Sequence, residues 1–85
     1  MFEVGQQVRF IGRSGEQDRY HADYKQLLGK VGTVRERSVW AVFLDKPESY
    51  SYEVQFEGFT WAGYDEDLSQ PADWFTVFHA ELEAT

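Results

Sequence analysis

Apolar and polar side chains alternate most regularly over residues 50–57. Tyr50, Tyr52, Val54 and Phe56 fall on one face and Ser51, Glu53, Gln55 and Glu57 on the other. An unbroken period of two predicts an antiparallel strand with one face buried. Val8, Phe10 and their polar neighbours give a shorter strand over residues 6–11, ended by Gly12. Residues 30–37 read as a further strand, in which Gly32 marks a bulge or a close approach of another backbone. Residues 39–44 are a β-prone run, and 45–49 form a turn by composition. After Gly58, residues 59–62 continue as a strand. Residues 74–78 form the last strand, with Trp74 and Phe78 on one face and Phe75 and Val77 on the other. Residues 65–68 and 79–83 read as short turns.

Between the first two strands the period changes. Ser14 followed by Gln17 has the spacing of a capping box, with Ser14 as N-cap. Tyr20, Tyr24, Leu27 and Leu28 follow at helical spacing, and Gly29 stands where a C-cap glycine would. The pattern fits a short helix or helical turn, with an ordered loop as the alternative. Short strands at close spacing predict a mainly β fold: a small barrel of five to six antiparallel strands with one short helix, since closure removes exposed edges.

Three segments together resemble the SH3-like barrel superfamily. Residues 5–12 (GQQVRFIG) are similar to its opening strand. Residues 28–34 (LGKVGTV) are similar to the Gly-Lys-x-Gly-x-Val element of KOW-type barrels, and residues 52–58 (YEVQFEG) to their third strand. An acidic-Leu turn at 65–68, or the turn at 79–82, would precede the closing strand. The resemblance implies one SH3-like domain with its core in residues 4–68 and an added strand and turn in 70–85. It implies binding of RNA, DNA, peptide or protein without choosing among them.

Eighty-five residues make one domain. Fifteen aromatic side chains supply its core, and eleven of them lie at or after Trp40. With no cysteine, disulfides, thiolate metal sites and a cysteine nucleophile are excluded. Together with the absence of a long apolar run or a signal-like N-terminus, this predicts a cytoplasmic protein with no membrane partner.

The charge is −7 overall but uneven. Residues 1–46 hold all eight Lys and Arg with six acids, whereas 47–85 hold nine acids and no Lys or Arg. Either strands of the two halves pair and offset their charges, or one acidic surface faces a basic partner.

Candidate chemistry is sparse. His21 and His79 lie in segments read as surface turns or helix, with no nucleophile patterned beside them. Asp65, Glu66 and Asp67 lack calcium-loop spacing and read as a solvated helix start. Gly29 to Gly32 lacks the order of a phosphate loop. No catalytic, metal or cofactor site is expected.

Aromatics are in surplus for so small a core. The expected function is therefore protein interaction, as adaptor or inhibitor, through an acidic aromatic face of Trp61, Tyr64, Asp65, Glu66, Asp67 and Trp74 that engages a basic partner protein. The alternative is nucleic-acid binding through Arg9, Arg13, Arg19, Lys25 and Lys30, with Tyr20 or Tyr24 stacking on bases.

Overall fold

The computed structural model describes residues 2–37, 50–61 and 71–85. Five strands form one antiparallel sheet: β1 (Gln7–Phe10), β2 (Val31–Arg37), β3 (Ser51–Gln55), β4 (Trp74–Phe78) and β5 (Leu82–Ala84). Their order is β4-β3-β2-β1-β5. Between β1 and β2 lie a 3-10 turn at Gln17–Arg19 and one short helix, α1 (Ala22–Lys25). A further 3-10 turn, His79–Glu81, joins β4 to β5.

The alternation in β3 does what its period requires. Tyr50, Tyr52, Val54 and Phe56 are all buried, and Ser51, Glu53 and Gln55 point away from the core. Beside them β1 contributes Val8 and Phe10, β2 Val34, β4 Phe75 and Val77, and β5 Leu82. Leu27, Tyr20 and Tyr24, from the excursion between β1 and β2, pack onto the same core. Gly12, at φ +68, starts that excursion. A Cβ there would meet the Tyr20 ring at 3.0 Å and Leu28 at 3.1 Å. The turn therefore needs glycine for its backbone angle and also for space.

Gly32 is a point of close approach. A Cβ there would lie 2.6 Å from the Gln55 carbonyl oxygen and 2.7 Å from Val54 Cγ1. The bulge in β2 falls elsewhere, between Val34 and Glu36. Past Val34 the strand reads Arg35-Glu36-Arg37 and has nothing apolar to bury, so the regular alternation lapses there.

The expected small SH3-like barrel does not form. β4 and β5 are the two outer strands of an open sheet and are not paired with each other. Side chains and turns occupy groups that a closing ladder would use. The Phe78 N–H donates to Glu81 Oε1 at 2.8 Å, and the Tyr24 hydroxyl donates to the Thr76 carbonyl at 2.9 Å. The N–H groups of Ile11 and Gly12, just beyond β1, both donate to the Glu81 carbonyl.

Other expectations change as well. Ser14 caps nothing. The 3-10 turn begins after Glu16 without a side-chain cap, and α1 is capped by His21, whose Nδ1 accepts from the Asp23 N–H. The helix stops at Lys25, short of Gly29. Residues 59–61 are not a strand: Phe59 N–H turns back to Phe56, and Trp61 N–H reaches Ala72. Trp74–Phe78 is not the last strand, because Leu82–Ala84, which overlaps the turn expected over 79–83, pairs with β1. The run at 39–44 and the turns at 45–49 and 65–68 lie outside the described residues.

Candidate binding groove along β4

Among the described residues β4 pairs with β3 alone, and the segment carrying α1 lies along its other side. Three tethers hold that segment in place. Tyr24 is bonded to the Thr76 carbonyl, the Gln26 side-chain amide donates to the Thr60 carbonyl at 3.2 Å, and the Tyr20 hydroxyl donates to Glu81 Oε2. Tyr20 in turn accepts from the Arg13 N–H at 2.9 Å. The two tyrosines pack on Phe10, and Tyr24 meets the Phe75 ring edge-on at 5.8 Å. Their helical spacing thus serves core packing and also leaves their hydroxyls beside β4.

Three hollows follow one another along this strand. One, about 270 Å³, is lined by Asp23, Tyr24, Trp61, Trp74, Phe75 and Thr76. The next, about 210 Å³, is lined by Tyr20, Tyr24, Thr76, Phe78 and Glu81. The third, about 270 Å³, is lined by Arg13, Glu16, Arg19, Tyr20, Phe78 and Glu81. Each shares residues with the next, so together they make one shallow aromatic groove.

Carboxylates lie close to its two tyrosines. Burial raises the Tyr24 pKa above its ordinary value, and the negative charges of Glu81, Glu53 and Asp23 raise it further. The Tyr20 hydroxyl is raised by burial and by its hydrogen bond to Glu81. Both tyrosines therefore stay protonated and act as hydrogen-bond donors. Glu53 accepts from the Thr76 hydroxyl at 2.7 Å, directly across from it on β3.

The structure brings Trp61 and Trp74, both expected in the site, into one hollow. Tyr64, Asp65, Glu66 and Asp67 lie outside the described residues. Sequence reasoning placed Tyr20 and Tyr24 only in the nucleic-acid alternative and put Asp23 and Phe78 in neither site. The available signal was Tyr20 and Tyr24 four apart with an acid beside them, but helical packing accounted for that spacing completely.

Of the basic set, Arg13 and Arg19 share the third hollow. Arg9 does not join them; it pairs across the sheet with Glu83 at 3.0 Å, in direct register. Lys25 ends α1 and Lys30 precedes β2, both exposed. The Arg9–Glu83 pair shows the two halves of the chain offsetting their charges across strands.

His79 is not a free surface histidine. Its ring lies 4.8 Å from that of Phe2, and Nδ1 is 3.0 Å from the Tyr52 hydroxyl. That hydroxyl also accepts from the Phe2 N–H at 3.2 Å. Burial lowers the His79 pKa, and the N-terminal positive charge acts the same way.

Among the described residues no group of His, Cys, Asp and Glu could hold a metal ion, and no helix is long and apolar enough to cross a membrane. The chain matches no known family, no curated protein and no solved structure, so the resemblance to SH3-like barrels gains no support from comparison.

Proposed function

We propose that this chain is a non-catalytic protein-interaction module, an adaptor or inhibitor, that takes a basic segment of a partner protein into the groove beside β4. The observation that carries this reading is the meeting of Trp61 and Trp74 with Tyr24 and Asp23, far from them in sequence, around one hollow. Aromatic rings next to a carboxylate suit the stem and head of Lys or Arg. The rings cover the methylenes and attract the cation, and the carboxylate pairs with it. The net charge of −7 favours encounter with a basic partner. A cytoplasmic setting fits a chain without cysteine.

The test is selection from a displayed library of random peptides on the wild-type chain, with Trp61→Ala and Trp74→Ala chains as counter-selections. Peptides rich in Lys or Arg should be enriched on the wild type and lost on both variants. Enrichment of acidic peptides, or enrichment that both variants retain, would overturn the reading.

A further inference from the structure

The groove differs in charge from end to end. At the Trp74 end of β4 the rim carries Asp23. At the Phe78 end it carries Arg13, Arg19 and Glu16. Glu81 lies at this end too, but it is only 6% exposed, and its two oxygens are taken by the Tyr20 hydroxyl and the Phe78 N–H. The exposed rim is then two guanidiniums against one carboxylate. Arg13 is held in place, its guanidinium 5.7 Å from the centre of the exposed Phe78 ring.

From Trp74 to Phe78 the strand advances about 14 Å, at roughly 3.4 Å per residue. An extended polypeptide covers that distance in about four residues. It would not add as a sixth strand, because Tyr24 holds the Thr76 carbonyl and Glu81 holds the Phe78 N–H. Recognition therefore falls to the ligand's side chains.

We propose that the groove reads a bipolar extended segment of a partner protein. A basic side chain lodges among Trp61, Trp74 and Asp23, and a carboxylate about four residues away meets Arg13 and Arg19. This rests on the protein-interaction reading above and adds the acidic half of the motif and its spacing. Charges of opposite sign at the two ends also set the direction in which the segment lies.

Synthetic acetylated and amidated peptides test it. Each carries one Arg and one Glu separated by two, four, six or eight positions in a Ser/Val/Gly background, with matched peptides in which Glu is replaced by Gln. Binding is read by NMR from the indole N–H signals of Trp61 and Trp74. The peptide with a separation of four should bind about threefold to fivefold more tightly than its Gln counterpart, the size of one exposed charge pair. That gain should disappear in the Arg13→Gln/Arg19→Gln chain, whose dispersed spectrum reports that it is folded. Equal binding of Glu and Gln peptides, with the indole signals still moving, would overturn the bipolar motif and leave the basic-segment reading standing. A gain that survives in the double variant would also overturn it. If no peptide moves the indoles, the protein-interaction reading fails as well.

Discussion

The Tyr24 hydroxyl donates to the main-chain carbonyl of Thr76, 2.9 Å away and 52 residues further along the chain. One hydroxyl thus anchors α1 to the sheet and occupies an acceptor on the open edge of β4. Tyr24→Phe removes the bond and leaves the ring in place against Phe10 and Phe75. The expected loss is about 1 kcal/mol, read from the urea midpoint at constant slope. An unchanged midpoint would mean that water replaces the hydroxyl at no cost.

Gly32→Ala should be among the most damaging small substitutions in the chain. The added carbon would lie 2.6 Å from the Gln55 carbonyl oxygen, which belongs to the backbone of β3 and cannot rotate away. β2 and β3 would have to separate, at about 2 kcal/mol or more. Thermal unfolding and amide exchange along residues 51–55 would report it. A melting temperature equal to that of the wild type would show that the strands yield freely.

Stability should depend on pH through His79. Its folded pKa lies below the ordinary 6.5, so the unfolded chain binds a proton more readily. The contribution of the neutral ring is fully present above pH 6.5 and is lost as the pH falls through the folded pKa. Urea midpoints measured from pH 7.5 down to 5 should fall, and the His79→Gln chain should show a shallower decline. Identical slopes in the two chains would assign the pH dependence to other groups.

Trp61→Ala should weaken binding of a selected basic peptide by about 2 kcal/mol or more, as loss of a central anchor does. Because Trp61 also packs on the core, affinity must be compared at a temperature where both chains are fully folded. Unchanged affinity would remove Trp61 from the site.

The parts of the fold that sequence revealed are those with a strong local cause. β3 was legible because four apolar residues repeat at the sheet's own period, and the inward faces of β1 and β4 for the same reason. β5 was not. Leu82, Glu83 and Ala84 hold a single large apolar residue, and their strand conformation comes from pairing with Val8, Arg9 and Phe10 at the other end of the chain. Closure into a barrel was a sound inference from short strands. It failed because Glu81 and Tyr24 satisfy main-chain groups of β4, and neither pairing is visible in a local window. Trp61 and Trp74 stood out in the sequence as surplus aromatics. Tyr20 and Tyr24 stood out only as base-stacking candidates, because their helical spacing otherwise reads as core packing.

The pairing of β5 with β1 also orders events during folding. The ladder Val8–Ala84, Arg9–Glu83, Phe10–Leu82 closes a loop spanning most of the chain, while β2, β3 and β4 pair with partners nearer in sequence. Long loops close late, since their entropy is lost before any contact offsets it. Until residues 82–84 arrive, β1 presents an unpaired edge above a core that lacks Leu82. A chain stopped before Leu82 would keep that edge permanently, and its copies would meet edge to edge, with β1 as the seed of association.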